Sequence, residues 1–128
     1  MAVDTDRLRQ EFNRCWPWIK AALDRSGEKT HTRDHVWQLI ADGRAQLWPM
    51  ADAAMITEII SYPTGIKHAR SWLAGGNLET ILAATPAIEV WAKAQGCSRA
   101  IIDGRKGWQK ALSAQGYQPT TINLKKDL

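Results

Sequence analysis

The stretch CSRAIIDGRKGWQKALSAQGYQ, residues 97–118, decides the fold. It begins with a short apolar run, CSRAIID, that has the length and composition of a buried strand. A basic turn flanked by glycines follows, and residues 104–115 are patterned as an amphipathic helix that ends at Gly116 and Tyr117. This order predicts either an ordinary strand, turn and helix of an α/β domain or the second half of a nucleotide-type cofactor site.

A longer helical segment precedes this strand. The run NLETILAATPAIEVWAKAQG, residues 77–96, can be capped by Asn77 and ended by Gly96, with its apolar residues on or near one side. Pro86 lies inside the run and Thr85-Pro86 is itself a good helix start, so one kinked helix and two abutting helices both fit the pattern. A helix between two strands permits their parallel pairing through a right-handed crossover.

Three strands are predicted before that helix. The runs RAQLWPM, AAMITEIISYPT and GIKHARSWLAGG are rich in β-branched and aromatic residues and are separated by turn signals. Because the connections are short, these strands should form an antiparallel meander. Strand alternation places Ile56, Glu58 and Ile60 on one face of the second strand, and His68 and Arg70 on one face of the third.

The first part of the chain is predicted to be helical. Asp4 or Thr5 can cap a first helix, Pro17 should interrupt it and begin a second piece, and Thr32 caps another helix. A final strand, YQPTTINLKK, is predicted after the last helix. These elements predict a single α/β domain, residues 1–128, in which a helical extension (1–31) precedes a core (32–124). The core should hold a mixed, mostly antiparallel sheet flanked by helices.

Composition narrows the class of protein. The 128 residues are 45% hydrophobic and 23% charged, as in a soluble globular domain. No apolar run approaches the roughly 18 residues of a membrane span, and the start MAVDTDRLRQEF lacks the apolar region of a signal peptide, so we expect no membrane partner. Cys15 and Cys97 are the two cysteines, with no CxxC spacing, which fits a reducing cytosol better than a disulfide framework or a zinc site.

The distribution of charge and the positions of the tryptophans indicate which classes of partner the protein could bind. Residues 65–128 contain nine basic and four acidic side chains, which could favour an anionic partner, although solvated surface lysines are the more common explanation. The seven tryptophans are scattered, without an interleaved basic run. They are therefore expected to pack in the core and at its edges, and nucleic acid is not expected as a partner.

The order helix, helix, three-strand meander, helix, strand, helix, strand resembles the GNAT (Gcn5-related N-acetyltransferase) superfamily. The resemblance covers roughly residues 32–124 and is strongest over residues 87–117, where IEVWAKAQGCSRAIID leads into the Gly116-Tyr117 helix. More narrowly, the phrases ITEIISYP, WLAGGNLE, IEVWAKAQGC and GRKGW are similar to small phage-encoded GNAT-like proteins.

The resemblance implies a site for acetyl-CoA, with the pyrophosphate on backbone amides at the start of the long helix. The corresponding residues here are Gly75, Gly76, Asn77 and Leu78, although the spaced glycine motif of the superfamily is missing and Gly-Gly-Asn is also a common helix entry. Arg105, in the basic turn, could contact an anionic cofactor or a partner.

The resemblance also implies proton-transfer residues. A general base for an amine acceptor would be Glu58 or His68, and both could instead be ordinary strand residues that face solvent. Counting back from Tyr117 places Leu112 where many superfamily members have a tyrosine acid, and leucine cannot donate a proton. Tyr117 itself is expected to pack.

Two functions follow from this pattern. The first is an acyl-CoA-dependent N-acetyltransferase acting on an unidentified amine in the host cytoplasm. The second is a non-catalytic phage protein with the same fold, either associated with the virion or bound to a phage structural or host protein.

Overall fold

Four α-helices and four β-strands occupy the part of the chain that the computed structural model describes, residues 4–25, 27–104 and 106–128. In chain order the elements are α1 (Thr5–Asp24), α2 (Arg33–Ala41), β1 (Gln46–Pro49), β2 (Ala53–Ser61), β3 (Lys67–Gly76), α3 (Leu78–Ala94), β4 (Arg99–Ile102), a 3₁₀ turn (Lys106–Trp108) and α4 (Gln109–Ser113). None of the described helices is long and apolar enough to cross a membrane.

The strands form one mixed sheet in the order β1-β2-β3-β4. The first three pair antiparallel, which confirms the predicted meander, and β4 pairs parallel to β3. The parallel pair is joined by α3, the crossover that parallel neighbours require. The predicted α/β class, with a mostly antiparallel sheet flanked by helices, is therefore confirmed.

Two hydrophobic cores cover the two faces of the sheet. The first core lies between the sheet and α1 and α2, and its buried members are Phe12, Cys15, Ile19, Val36, Ile40, Ala45, Ala54, Ile56 and Leu73. The second core lies between the opposite face and α3 and α4, with Ala53, Met55, Ala74, Ile81, Ile88, Trp108 and Leu112. Successive residues of β2 enter opposite cores, as strand alternation requires.

The tryptophans all pack against these cores. Trp16, Trp18, Trp37 and Trp72 lie against the first, whereas Trp48, Trp91 and Trp108 belong to the second. Their predicted role in packing is confirmed. The helix α1, which the sequence assigns to an extension, supplies three buried residues of the first core: Phe12, Cys15 and Ile19.

The helix α1 is continuous through Pro17, so the prediction of two helical pieces was wrong. Phe12, Cys15 and Ile19 lie on both sides of the proline and enter the same core, and this packing outweighs the one lost backbone bond.

The helix α3 is likewise a single helix through Pro86. Proline lacks the N–H that would bond the carbonyl four residues earlier. That carbonyl, of Leu82, instead accepts a hydrogen bond from the Gln115 side chain at 3.1 Å. Of the two interpretations of residues 77–96, the structure therefore supports the single helix.

The C-terminal region differs from the prediction. The last helix is shorter than residues 104–115, being a 3₁₀ turn followed by α4. Residues 114–128, all described, contain no strand, so the predicted strand YQPTTINLKK was wrong. Ile122 and Leu124, 85% and 91% exposed, pack on no core, and this segment therefore has no buried face to fix it as a strand.

Candidate functional site

The strands β3 and β4 separate before β3 ends. Their pairing runs from His68–Arg99 to Ser71–Ile102, and the last backbone bond joins Asp103 N–H to the Ser71 carbonyl at 3.2 Å. Residues 72–76 of β3 continue without a described strand partner on that side. We call the gap beside these residues the strand opening. It leads along β3 to the N-terminus of α3, a helix of 17 residues.

The N-terminus of α3 is occupied by the protein's own cap. Asn77 Oδ1 accepts hydrogen bonds from the backbone N–H groups of Glu79, at 2.9 Å, and Thr80, at 3.4 Å. These are amides that a phosphate at this end would use. Asn77 is exposed, so its side chain has room to rotate away. A pyrophosphate group therefore fits here only if the Asn77 cap is released.

The two glycines before Asn77 are required by packing. A Cβ atom on Gly75 would overlap the Trp18 backbone carbonyl of α1, and one on Gly76 would overlap the backbone of Asp52 and Ala53, where β2 begins. Gly76 also has φ of +104°, in the region that favours glycine. These contacts explain the Gly-Gly pair without a ligand. Leu78, which follows the cap, packs against the second core.

An ion cluster, which we call the Arg70 cluster, lies where β3 and β4 separate. Arg70 donates to Glu58 Oε1 at 2.7 Å and, from Nε, to Asp103 Oδ2 at 2.6 Å. Burial lowers the pKa of the Arg70 guanidinium, but the hydrogen bonds to both carboxylates outweigh this effect and the pKa is raised above its ordinary value. The cluster fixes the Glu58 carboxylate on the α1/α2 face of the sheet.

His68 lies on the same face, two residues before Arg70 on β3. Its cross-strand neighbour is Ile60, which is two residues after Glu58 on β2, so the two candidate bases are diagonal neighbours. The His68 ring lies 5.0 Å from that of Tyr62, and its Nδ1 is buried without a hydrogen-bond partner among the described residues. The structure thus brings both predicted bases to one face of the sheet.

The last helix offers no acid at the expected position. Leu112 is 8% exposed and packs with Trp108 in the second core. Tyr117 is half-buried against the same core, and burial, together with the charge of Glu89 and a hydrogen bond to it, raises the pKa of its phenol to about 12. Arg105 lies outside the described residues.

A cavity of about 310 Å³ lies beside β4. Its walls are β4, α4 and the segment after Tyr117, which passes β4 without pairing with it. Two of its lining residues, Leu112 and Tyr117, are the ones that the sequence analysis considered for proton transfer.

Sequence reasoning missed Asp103 as a site residue. Alternation along β3 gave the face of Arg70, but the contact with Asp103 depends on the register of β4 against β3. That register joins residues about thirty positions apart, which no local pattern encodes.

No protein-family model and no curated protein matches the sequence. Among solved structures, a GCN5-related N-acetyltransferase from Ralstonia eutropha JMP134 has a TM-score of 0.69 at 17% identity, covering 98% of this chain and 95% of that one. A predicted acetyltransferase from Clostridium acetobutylicum, with acetyl-CoA, has a TM-score of 0.67 at 12% identity, covering 98% and 92%.

Glucosamine-6-phosphate N-acetyltransferase from Arabidopsis thaliana has a TM-score of 0.51 at 13% identity, over 59% of this chain. The matched region is 56% of the plant protein, so this chain spans little more than half of that length. The mixed sheet with β3 and β4 diverging, the crossover α3 and these superpositions agree: this chain has the fold of the GCN5-related N-acetyltransferases.

Proposed function

We propose that the protein is an N-acetyltransferase that takes its acyl group from acetyl-CoA and transfers it to an amine. The observation that carries the proposal is the strand opening, which runs beside residues 72–76 and ends at the N-terminus of α3. Such an opening accepts an elongated ligand, and the helix end favours its phosphates. The solved neighbours are acetyltransferases, and one of them is described with acetyl-CoA.

The residues around the opening would have distinct roles. The backbone from Gly76 to Leu78 would hold the pyrophosphate once the Asn77 side chain rotates away. Acetyl-CoA would supply the activated acetyl group. Glu58, held in place by Arg70, would accept the proton of the amine directly or through water, and His68 is the alternative base on the same face. Because Leu112 cannot donate a proton, the leaving sulfur would be protonated from water.

A second candidate is a non-catalytic binding protein with this fold, and the Asn77 cap favours it. In this candidate the α3 amides stay satisfied by Asn77, and Leu112 serves only the second core. The partner would then be a phage structural protein or a host protein, and the chain would be part of the virion in the first case.

Calorimetric titration with acetyl-CoA tests the first candidate directly. We expect binding in the wild-type protein and in Glu58→Gln, since that carboxylate acts on the amine and not on the cofactor. Absence of binding at millimolar acetyl-CoA would overturn the proposal. If binding is found, turnover with a panel of amines should fall in either Glu58→Gln or His68→Ala, and unchanged turnover in both would remove these residues as bases.

Mass spectrometry of purified phage particles tests the second candidate. Detection of the chain in the particles would support it. Its absence from them would exclude the virion role.

A further inference from the structure

Two arginines lie over aromatic rings where α1 packs against α2. The guanidinium carbon of Arg9 is 4.6 Å from the centre of the Trp37 ring, and that of Arg33 is 5.3 Å from the centre of the Trp16 ring. Both also lie over the Phe12 ring, at 5.8 and 5.9 Å. Phe12 is fully buried, and the rings of Trp37 and Trp16 pack against it at 5.5 and 5.7 Å. We call these five residues the Arg9–Arg33 patch.

Helical spacing produces the patch. Its three α1 members are three and four residues apart and its two α2 members are four apart, so each set shares one face of its helix. Arg33 also donates a hydrogen bond to the side-chain carbonyl of Asn13 at 2.7 Å. Stacking on the rings and this bond restrict the two arginine side chains. Less conformational entropy is therefore lost when their remaining N–H groups bind a ligand.

Neither guanidinium of the patch forms an ion pair with a carboxylate of the described residues. By contrast Arg14, on the same helix, is paired with Glu11 at 2.7 Å. Because Arg9 and Arg33 each lie less than 6 Å from the centre of the same Phe12 ring, their guanidinium carbons are at most about 12 Å apart. Two positive groups at this separation repel each other, and an anionic partner would relieve the repulsion. Arginine binds carboxylates especially well, through two parallel hydrogen bonds.

The patch fits an acidic protein segment better than a nucleic acid. Residues 1–64 contain eight basic and nine acidic side chains, so this half of the chain gives no positive field of the kind that holds a phosphate backbone. Two local positive groups on an aromatic surface instead match a segment that carries two carboxylates beside apolar atoms. Tryptophan and arginine are also enriched among the residues that contribute most to protein–protein binding.

We propose that the Arg9–Arg33 patch binds an acidic segment of a partner protein, with one carboxylate on each guanidinium group and the tryptophan rings against apolar atoms of the segment. Two acidic residues one helical turn apart, or two positions apart in a strand, are separated by about 5–7 Å, which lies within the separation of the two guanidinium groups. The patch contains none of the residues assigned to acetyl-CoA or to proton transfer, so the proposal does not depend on acetyltransferase activity.

NMR titration of the full ¹⁵N-labelled chain with hexaglutamate, blocked at both ends, tests the proposal. This peptide offers pairs of carboxylates at several spacings. At low salt, where screening is weak, we expect saturable shifts of the Trp16 and Trp37 indole N–H signals with a dissociation constant of about 1 mM. Hexaglutamine of the same length should cause no such shifts, because it carries no charge.

Arg9→Gln and Arg33→Gln should each raise the dissociation constant for hexaglutamate about fivefold, which is the upper range for an exposed ion pair. Lys20→Gln is the matched control. It removes the same charge from α1, but Lys20 is already paired with Asp24 at 2.7 Å, so the dissociation constant should change by less than about twofold.

Three results would overturn the proposal. The first is the absence of saturable shifts at Trp16 and Trp37 with up to about 10 mM hexaglutamate in the wild-type chain, a result that does not depend on the folding of any variant. The second is a loss of affinity in Lys20→Gln as large as in the two arginine variants, which would mean that net charge alone attracts the peptide. The third is tighter binding of octathymidylate than of hexaglutamate at the same tryptophans, which would indicate a nucleic-acid partner.

Discussion

Replacing Asn77 by aspartate distinguishes the effect of residue 77 on helix capping from its effect on phosphate binding at the N-terminus of α3. Aspartate has the same shape, can accept the same hydrogen bonds from Glu79 and Thr80, and is as good an N-cap as asparagine. Its negative charge also interacts favourably with the positive end of the helix dipole, which stabilises the protein by about 0.3–1 kcal/mol. We therefore expect the melting temperature of Asn77→Asp to equal or slightly exceed that of the wild-type protein.

The same charge should weaken the binding of acetyl-CoA. Two like charges about 5 Å apart repel by about 3 kcal/mol at an effective dielectric constant of about 20. Because residue 77 is exposed, salt and water screen this repulsion. If screening halves the repulsion to about 1.5 kcal/mol, the dissociation constant increases about tenfold.

Asn77→Gly is the converse variant. Removal of the side chain frees the two amides, while glycine as N-cap costs only a few tenths of a kcal/mol relative to asparagine. In the wild-type protein the ligand must release a cap that contributes a few tenths of a kcal/mol relative to glycine, so the glycine variant should bind acetyl-CoA about twofold more tightly.

Titration calorimetry and thermal melts of the three proteins measure both quantities. The reasoning fails if Asn77→Asp binds acetyl-CoA as well as the wild-type protein does, or if Asn77→Gly binds more weakly at an unchanged fold. Either result would mean that phosphates do not lie on the α3 amides.

Gly75→Ala should lower the free energy of unfolding by about 1–3 kcal/mol, because the added methyl group overlaps the α1 backbone. Chemical denaturation measures this loss. Gly107→Ala is the control and should change the free energy of unfolding far less, because nothing lies within 4 Å of its new methyl group. Gln115→Ala should cost about 0.5–1.5 kcal/mol through the lost bond to the α3 carbonyl. An equal loss in Gln118→Ala, an exposed control, would contradict this assignment. The pKa of Tyr117, raised to about 12 in the folded state, should appear as a phenol that ionises late in absorbance titrations. Because the unfolded phenol ionises near pH 10, stability should fall as the pH rises from about 10 to 12, and Tyr117→Phe should lose this dependence.

The sheet and the helices could be predicted because local patterns encode them. Glu58 was assigned to one face of β2 by alternation, and its contact with Arg70 agrees with that face. The effect of Pro86 could not be predicted from the sequence, since the carbonyl that the proline leaves open is bonded by Gln115, a residue that follows α4. The prediction of a C-terminal strand was wrong for a related reason. Ile122 has strand propensity, but neither it nor Leu124 has a core to pack on.

Predictions of the site were limited in the same way. Asn77 was identified as a cap by its residue type, which is a local property. The sequence could not show why Gly75 and Gly76 are glycines. The reason is close contact with α1 and with the start of β2, which are distant along the chain. The Arg70 cluster required the register of three strands, which is a property of the assembled sheet.

The register of β2 against β3 shifts at one point, where Ile56 pairs with Leu73 and Thr57 pairs with Ser71. Trp72 is the extra residue of a β-bulge. On a regular strand, residues 70 and 73 would point to opposite faces, so either the first core would lose Leu73 or the ion cluster would lose Arg70. The bulge lets both side chains point to the same face.

A bulge also bends its strand and increases the local twist. This bulge lies directly after Ser71, the last residue of β3 that pairs with β4. The additional residue therefore lies at the point where the two strands begin to diverge, and the bend that it introduces favours that divergence. Among the residues beside the opening, residue 72 should therefore affect its width most, and a chain with Trp72 deleted should have a straighter β3 and a narrower opening.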